Sequence, residues 1–449
     1  MGDRQWQITM SNQVGKNKKK QKRVNSPDRS EPLLFLKKEL CQGCTHCIRI
    51  CPTEAIRIRQ GRAEVMLHRC IQCGECIRVC PREAWKVRSN SYEKVKKEGR
   101  AVAILDPVVF WQFGSRITPR RVAEAFLEIG FTAVQELGKA LQIYGSAVSF
   151  YLASKEKSIP PISSTCPAVV QLVQVRYPSL IENLVPIILP HQIMAQHKQK
   201  GGHGDLANGW YYIVPCLAQA EAVQGLFSKE GMLAEAIPLV DLYNPLKAIV
   251  RRKKKISEDS PWPETAISGM KWAIAGGESK EIGLPATLIV DGINHVARIL
   301  ELAESGLLDE VRFIEAWACP GGCLGGPLTV QNPFWAKYHL EEWLRKNEKG
   351  AGEKRKKVSL DKESLRWKGP VHSRPGMRLD EDLKTAMEKL RRMDEIVKKF
   401  PGIDCGACGC PSCLAFAEDV VQGHAREKEC LSFPYLSPPT REKVGGGEG

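Results

Sequence analysis

Spaced cysteines constrain this chain more than any other feature, because sixteen of its seventeen cysteines fall into three sets. The tandem set consists of Cys41, Cys44, Cys47, Cys51, Cys70, Cys73, Cys76 and Cys80; the scattered set of Cys166, Cys216, Cys319 and Cys323; and the terminal set of Cys405, Cys408, Cys413 and Cys430. Thiolates are soft ligands that suit iron–sulfur cubanes, and four of them close one [4Fe-4S] cluster. The sets therefore predict four such clusters in an electron-handling protein, with only Cys410 left over.

The composition is that of a reduced, globular, multi-domain protein. At 449 residues with 43% hydrophobic content, the chain can support two to four domains with ordinary cores. No run of about 18 apolar residues could span a bilayer and no secretory signal opens the sequence, so we expect a cytoplasmic protein without a membrane span. Cysteines stay reduced in that compartment, which favours metal binding over disulfides.

The net charge of +15 is concentrated in basic runs at 16–23, 251–255 and 354–357. Each run lies in polar or glycine-containing sequence, as is typical of solvated loops. A second interpretation is a docking surface for an acidic redox partner, because complementary charge speeds encounter. Both rank above nucleic-acid binding, and we expect no nucleic-acid partner.

Changes in composition along the chain predict a multi-domain α+β or α/β protein. The predicted segments are a disordered basic tail (1–30), a two-cluster module (31–98), a core of alternating strands and helices (99–345), a charged linker (346–380), a small helical cluster domain (381–435) and a flexible tail (436–449). Within the core, strands are expected at 101–105, 209–215, 287–290 and 311–316, and helices at 120–129 and 293–305.

A further helix is expected to brace the terminal set. Asp380 is its predicted N-cap, and Pro401-Gly402 is its predicted end. Its apolar face is predicted from the helical spacing of Leu383, Met387, Leu390, Met393 and Val397.

The tandem set contains two runs with the spacing C-x2-C-x2-C-x3-C-P, repeated after 29 residues. In two-cluster ferredoxins, the first three cysteines of such a run wrap one cubane and the fourth ligates the other. The predicted ligand sets are Cys41, Cys44, Cys47 and Cys80 for one cluster, and Cys70, Cys73, Cys76 and Cys51 for the other. Zinc also binds paired cysteines, but it has no use for two four-cysteine runs that each end in Cys-Pro. This segment resembles the bacterial two-cluster ferredoxins.

Prolines and glycines surround the scattered set. Cys166, Cys216 and Cys319 each adjoin a proline, and Cys323 lies within a glycine-rich run at 321–326. Glycine allows the backbone to approach a bulky inorganic centre closely. The alternative for each residue is a buried apolar cysteine without a ligand role.

Residues 100–345 resemble the catalytic domain of the iron-only ([FeFe]) hydrogenase family. The resemblance rests on the motif Ala-Cys-Pro-Gly-Gly-Cys at 318–323 and on shorter matches at 130–134, 177–180, 190–194 and 291–294. It implies a two-lobed core whose scattered set holds a [4Fe-4S] cubane. It also implies that Cys323 bridges to a diiron unit with CO and cyanide ligands, at which hydrogen is split or formed.

Several positions depart from the pattern of that family. Thr165 stands where the family has a proton-relay cysteine, which leaves the catalytic residues unassigned. The other departures are Val185 for the relay serine, Gly145 and Ser146 for the relay glutamates, Gln219 for a lysine that contacts a cyanide, and Val214 and Trp317 for methionines near the second and third ligands. General acid–base catalysis needs a continuous chain of titratable groups, so these changes predict slow turnover.

The terminal set has the spacing C-x2-C-x4-C, followed by Cys430. It resembles the small [4Fe-4S] domain of corrinoid iron–sulfur proteins and of membrane-linked ferredoxin oxidoreductases. The resemblance implies a fourth cluster held by Cys405, Cys408, Cys413 and Cys430. Cys410 occupies a position where that motif needs no ligand, and we expect it to be a bystander thiol.

Three functions are compatible with these patterns in an anaerobic host. The first is a low-activity hydrogen or redox sensor, or electron relay, that reports to a ferredoxin, an oxidoreductase or a signalling protein. The second is a catalytic ferredoxin-linked hydrogenase for H2 oxidation or proton reduction, and the third is a four-cluster electron carrier without the diiron unit. The lost relay residues favour the first and third functions, whereas the retained Cys323 favours the first over the third.

Overall fold

The architecture is taken from a computed structural model. The described residues are 32–88, 91–98, 101–154, 159–200, 209–224, 235–252, 267–347, 362–374 and 376–432. From Leu33 onward the chain forms one unit. The predicted tails at 1–30 and 436–449 lie outside the described residues, as do two of the three basic runs and most of the run at 251–255.

Two antiparallel ribbons and two short helices form the N-terminal module. Its elements are β1 (Leu34–Leu36), α1 (His46–Ile50), β2 (Ile56–Arg59), β3 (Arg62–Val65), α2 (Glu75–Val79) and β4 (Trp85–Val87), followed by α3 (Ser91–Glu98). Strand β1 pairs with β4, and β2 pairs with β3. Helices α1 and α2 each follow a residue in the left-handed conformation, Thr45 at φ 67° and Gly74 at φ 77°. The 29-residue repeat thus folds into two similar halves.

A four-stranded parallel sheet, in the order β6-β5-β7-β8, organises the first lobe of the core. The elements of this lobe are β5 (Ala101–Leu105), α4 (Pro119–Glu128), β6 (Ala133–Glu136), α5 (Gly138–Ala153), α6 (Pro167–Arg176), α7 (Pro190–Lys200), β7 (Gly209–Val214), α8 (Leu217–Gln224), β8 (Glu235–Pro238), α9 (Leu239–Val250) and α10 (Ile267–Met270). Successive strand residues face opposite sides, so Ala103 and Leu105 pack in one apolar cluster and Ile104 in another. Burial on both faces explains why this strand is apolar throughout.

A two-stranded parallel sheet forms the second lobe. Its elements are α11 (Gly277–Ile282), β9 (Thr287–Asp291), α12 (Ile293–Glu304), β10 (Phe313–Trp317) and α13 (Pro333–Asn347). The register pairs Asp291 with Trp317, and α6 and α12 contribute to the apolar cluster beside the sheet. All four predicted core strands are present, although the last begins at Phe313 rather than at 311. The mixed α/β class with a parallel core is therefore confirmed.

The C-terminal domain is built on α14 (Leu383–Lys399) and α15 (Cys413–Val421). The N-cap of α14 is Asp382, whose carboxylate accepts the Thr385 N–H, so the predicted cap at Asp380 is wrong. Asp380 instead accepts the N–H of Asp382.

The predicted apolar face of α14 is only partly used. Met393 and Ile396 are buried against Phe416, whereas Leu383 and Met387 are 75% and 50% exposed. The bracing role that the sequence predicts for the whole helix therefore belongs to its second half.

Part of the predicted linker packs onto the core. The Leu365 carbonyl accepts the N–H of Ile188, and the Trp367 N–H donates to the carbonyl of Pro186, which adds a short strand-like contact. Leu365 is buried in the apolar cluster of the first lobe. Residues 362–374 therefore belong structurally to the core, which the charged composition of 346–380 did not indicate.

Within the described ranges, no helix is both long enough and apolar enough to cross a membrane.

Candidate metal centres

One group of tandem cysteines combines both sequence runs. Burial raises the pKa of Cys70, Cys73 and Cys76, and the nearby Cys51 raises the pKa of each further. Cys51 therefore lies beside the first three cysteines of the second run. This is the crossed arrangement that the ligand assignment requires, and the assignment itself stays a prediction.

The other group lies in the first half of the module. The pKa of Cys47 is raised to about 11, chiefly by burial and in smaller part by the nearby Cys41 and Cys44. Cys80 packs in the same apolar cluster as Cys41 and Cys47, and its sulfur accepts the Ala84 N–H at 3.3 Å. N–H donors of this kind stabilise negative charge on sulfur, as a metal-bound thiolate requires.

The four scattered cysteines converge where strands end and helices begin. Cys216 follows β7, Cys319 follows β10, and Cys166 directly precedes α6. Together with Cys323 they line one cavity of about 380 Å³. The carboxyl ends of parallel strands are where α/β proteins place their ligands, and this cavity follows that rule.

Burial raises the pKa of all four thiols in this cavity. For Cys319 the value is about 12, and the guanidinium of Arg78 opposes the effect of burial. The cluster-free protein consequently holds neutral thiols here, so metal binding must release protons. Arg78 also donates to the carbonyl of Gly325, which ties the N-terminal module to the core.

The glycines around Cys323 are constrained by backbone packing as well as by the cavity. A Cβ on Gly322 would lie 2.6 Å from the backbone nitrogen of Ala275, and one on Gly326 would lie 2.3 Å from the Pro215 carbonyl oxygen. Both glycines also line the cavity. These glycines are therefore required by close approach of protein backbone, and their approach to an inorganic centre stays a prediction.

A second cavity of about 430 Å³ meets the first at Cys323. Its polar lining includes Thr165, His191, Tyr212 and Gln219. The Gln219 amide nitrogen donates to the Cys323 sulfur at 3.9 Å.

Three polar atoms of this second cavity are buried without a hydrogen-bond partner among the described residues: His191 Nε2, Gln219 Oε1 and Trp272 Nε1. Burial lowers the pKa of His191 to about 3, so its imidazole is neutral. Buried polar atoms normally have partners. The lining therefore suits an additional group that offers polar contacts beside Cys323, as a diiron unit with CO and cyanide ligands would.

Of the four positions at which the family's relay residues are replaced, only Thr165 is among the residues that line this cavity. Val185 is buried and contributes its carbonyl as acceptor for the Ser164 hydroxyl at 2.6 Å. Gly145 and Ser146 lie on α5, with Gly145 buried and Ser146 exposed. These four side chains carry no carboxyl or thiol group.

Three buried carboxylates at or near this site were not predicted. Asp106 lines the second cavity and accepts a hydrogen bond from the Tyr212 hydroxyl at 2.7 Å. Glu278, on α11, accepts a hydrogen bond from Ser163 at 2.6 Å. Glu315, on β10, accepts from the backbone nitrogens of Gly276 and Ser279 at 2.7 and 2.8 Å. A glutamate inside the otherwise apolar run 313–317 was the signal in the sequence, because a buried acid needs partners.

The terminal cysteines Cys405, Cys408, Cys413 and Cys430 line a third cavity, of about 330 Å³. The loop is shaped by Asp404, whose φ is 46° and whose carboxylate accepts the Cys413 N–H at 2.6 Å. The structure thus brings together the four cysteines that the sequence grouped.

Cys410 also lines this third cavity, but its sulfur has protein partners. It donates a hydrogen bond to Asp419 Oδ2 at 3.3 Å and accepts long hydrogen bonds from the Arg59 guanidinium. Hydrogen bonding to Cys408 raises the pKa of Cys410, while the same contact lowers that of Cys408. This asymmetry favours Cys408 over Cys410 as the thiolate.

Buried ion pairs fasten the C-terminal domain to the N-terminal module. Arg57 donates to both oxygens of Asp419 at 2.8 and 3.1 Å, and the two side chains are 5% and 6% exposed. Arg59 also pairs with Asp419, and Arg69 pairs with Glu418. The attachment is therefore made of charge-assisted hydrogen bonds rather than of an apolar surface.

The cysteine groups follow one another through the molecule. At one end, the Arg49 guanidinium donates to the Cys405 carbonyl at 2.8 Å, which places the terminal set beside the first half of the module. At the other end, Cys73 lines the same cavity as the scattered set. The order is terminal set, two-cluster module, scattered set, and then the second cavity at Cys323.

Within the described part of the chain, no three His, Cys, Asp or Glu side chains come close enough together to hold one metal ion. A cubane is a larger body whose four thiolates are spread around it.

Three family models match the chain. The iron only hydrogenase large subunit, C-terminal domain, matches residues 100–242 and 244–327, about half of the chain. The 4Fe-4S dicluster domain matches 33–81, and a putative Fe-S cluster domain matches 400–432.

A curated relative matches a short part of the chain. The corrinoid/iron-sulfur protein large subunit of Moorella thermoacetica is 46% identical over 50 residues. These residues are 11% of this chain, and the chain spans only 10% of that relative.

Solved [FeFe] hydrogenases are among the structures to which this chain is similar, at low identity. One has a TM-score of 0.44 and 13% identity, covering 64% of this chain and 98% of the other. A variant of the enzyme HydA1 from Chlamydomonas reinhardtii has a TM-score of 0.42 and 16% identity, covering 56% and 87%. These values are too low to assign a function.

Proposed function

Because the chain belongs to the iron-only hydrogenase large-subunit family, we propose that it is a sensor-like iron–sulfur redox protein. In this proposal the hydrogenase-like core reacts slowly with hydrogen and passes its redox state to a partner protein. The observation that carries the proposal is that the cysteine sets adjoin one another, from the terminal set through the two-cluster module to the scattered set and the cavity at Cys323. A chain of closely placed centres is what electron relay needs.

Each cysteine group would hold one [4Fe-4S] cluster, which makes four clusters in all. Hydrogen bonds to sulfur, burial and nearby charge tune cluster potentials. Arg78 lies on α2, two residues after Cys76, and donates to the Gly325 carbonyl of the core. Its charge favours the more negative state of Cys319. Its charge would therefore make the core cluster easier to reduce.

Cys323 would bridge the core cubane to a diiron unit in the second cavity. Such a unit, when bound, supplies the site at which hydrogen is split or formed. His191 would offer a polar contact to it through Nε2, which has no partner in the described residues, and Gln219 would offer the amide N–H group that faces the Cys323 sulfur. Thr165 lines the same cavity with a hydroxyl where the family has a thiol, and a hydroxyl is a weaker acid than a thiol.

Slow reaction with hydrogen follows from the replacements at the relay positions. A positioned general acid or base typically contributes about 10²–10⁴-fold to rate. The positions of Thr165, Val185, Gly145 and Ser146 offer no carboxyl or thiol group for that role.

The terminal domain would be the port to the partner. It lies at the far end of the order, and Ile403, Leu414 and Leu431, close to its cysteines in the chain, are 57%, 51% and 63% exposed. Apolar side chains around an electron-transfer centre suit a transient redox encounter. The partner would be a ferredoxin, an oxidoreductase or a signalling protein.

The proposal is tested with full-length protein that carries all its clusters. A Cys413→Ser variant should lose the terminal cluster and exchange electrons with a bacterial ferredoxin more slowly, while the paramagnetic signal of the core cluster persists. The matched control is Cys410→Ser, two residues away from the predicted ligand Cys408, which should keep the wild-type exchange rate. Equal rates in wild type and Cys413→Ser would overturn the terminal domain as the port.

Infrared spectroscopy of anaerobically matured protein separates the remaining functions. CO and cyanide bands would support the diiron unit, and their absence after maturation would favour the four-cluster carrier. Hydrogen turnover as fast as that of a standard hydrogenase would instead favour the catalytic function.

A further inference from the structure

Glu278 is a buried acid near the second cavity that the family pattern does not account for. It lies on α11 and is 0% exposed. Its Oε2 accepts a hydrogen bond from the Ser163 hydroxyl at 2.6 Å. Its Oε1 is buried without a hydrogen-bond partner among the described residues. A native protein rarely leaves such an atom unpartnered unless it has a water or a functional role.

A row of hydroxyls connects this acid to the cavity. The Ser163 oxygen lies 3.2 Å from the Thr165 hydroxyl oxygen. Thr165 lines the cavity that contains Cys323. Glu278, Ser163 and Thr165 therefore form one hydrogen-bonded row that ends at the place where a hydrogen-reacting group would sit.

A second glutamate of the same helix extends the row outward. Glu281 is half-buried and one helical turn from Glu278, so the two side chains share a helix face. Its Cγ lies 3.0 Å from the position that a Cβ on Gly145 would take. A carboxylate from α11 thus fills the space beside the position where the family has a relay glutamate.

We propose that Glu281, Glu278, Ser163 and Thr165 form a replacement proton route between solvent and the cavity at Cys323. This inference rests on the proposed function, since it requires that cavity to exchange protons. It also accounts for the loss of carboxylates from α5, because α11 supplies them from the opposite side.

Each transfer along the route conserves protons. When the cavity takes a proton from the Thr165 hydroxyl, Thr165 regains one from Ser163, and Ser163 regains one from the Glu278 carboxyl. Glu278 is left as a carboxylate and is reprotonated from the side of Glu281 and solvent. The reverse sequence removes a proton from the cavity, and no electrons move along the route.

The surroundings of Glu278 keep it protonated near neutrality. Burial, and then the charge of Glu315 on β10, raise its pKa to about 8, while hydrogen bonds from Ser163 and Thr165 oppose that rise. The other titratable groups facing it are Tyr144 on α5 and Cys166 before α6. An acid with a pKa near the working pH is well matched to giving and regaining a proton.

The first experiment needs no diiron unit and no partner protein. Full-length protein carrying only its cubanes is titrated with base while the carboxylic-acid C=O band is followed by infrared difference spectroscopy. We expect a buried band that disappears only well above the pH at which an ordinary glutamate ionises and that is absent in Glu278→Gln. In Ser163→Ala the midpoint should rise, because the lost hydrogen bond favoured the carboxylate.

Ser164→Ala is the matched control for Ser163→Ala. Ser164 carries the neighbouring hydroxyl, but it donates to the Val185 carbonyl at 2.6 Å rather than to Glu278. Its removal should leave the midpoint unchanged. A band that titrates as an ordinary exposed acid, or that shifts equally in both serine variants, would overturn the assignment of Glu278.

The second experiment follows exchange of H2 with D2O in matured protein. Glu278→Gln should slow the exchange by about 10²–10⁴-fold, while Ser164→Ala should leave it unchanged. Glu278→Asp should recover part of the rate, because it restores an acid at a longer distance from Ser163. Undiminished exchange in Glu278→Gln, with CO and cyanide bands present, would overturn the route without touching the proposed function.

Discussion

Asp419→Asn is expected to loosen the C-terminal domain from the N-terminal module. The substitution keeps the size of the side chain but removes the charge that faces Arg57 and Arg59. Removing one partner of a buried pair costs about 3–5 kcal/mol, because the other charge is left uncompensated. Arg57 keeps the Glu54 carbonyl at 2.7 Å and Glu418 at 3.9 Å, so the low end applies. A loss of about 3 kcal/mol is about a 150-fold shift in the docking equilibrium.

Hydrogen exchange in the loaded full-length protein measures this shift directly. Amides of α15 that exchange through undocking should lose about 150-fold in protection, while those of the core sheet keep theirs. The matched control is Glu427→Gln, which breaks an exposed pair with Lys399 and should cost at most about 1 kcal/mol. Equal protection of α15 in wild type and Asp419→Asn would refute the role of the buried pair.

The same pair gives a pH dependence with a defined sign. Burial acts to raise the pKa of Asp419, but the hydrogen bond and charge of Arg57, aided by Cys410 and Arg59, hold it below its usual value. A group with a lowered folded pKa contributes stability that is present above its unfolded pKa of about 3.9 and is lost as pH falls through the folded value. The difference between wild type and Asp419→Asn should therefore be constant above about pH 5 and shrink in stronger acid.

Three further outcomes are expected. Iron and sulfide should approach sixteen of each per chain, about four per cubane; Cys410→Ser should leave that content unchanged and Cys413→Ser should remove one cluster, so a loss in both would contradict the assigned ligands. Gly74→Ala should slow electron transfer into the core, because its Cβ would lie 2.5 Å from Pro327, whereas Gly61→Ala carries a similar φ of 71° with nothing within 4 Å and should not. Thr165→Cys should raise hydrogen evolution in matured protein, and an unchanged rate would show that this position does not limit proton delivery.

The cysteine sets and the core strands could be predicted because their signals are local. The spacing of the tandem set follows from wrapping one loop around a cubane, and the apolar run at 101–105 follows from burial of both sheet faces. Such patterns depend on residues close together in the chain.

The replacement carboxylates could not be predicted, because they depend on packing between distant elements. Gly145 and Glu281 are far apart in sequence, and only the contact of α5 with α11 brings them together. The prediction that the whole apolar face of α14 braces the terminal set was wrong for a related reason. Helical spacing shows that a face is apolar, but it does not show that another element covers that face. The packing of Leu365 was hidden by the charged residues around it.

The loop of the terminal set is joined to the module by main chain as well as by charge. The Ile58 N–H donates to the Gly409 carbonyl at 2.8 Å, and a Cβ on Gly409 would lie 2.1 Å from the Ile58 carbonyl oxygen. Tunnelling rates fall exponentially with distance, and a short hydrogen bond couples two centres better than a gap of the same length. Because this backbone contact fixes the separation, the rate of electron transfer between the proposed clusters would depend on their reduction potentials rather than on motion of the C-terminal domain.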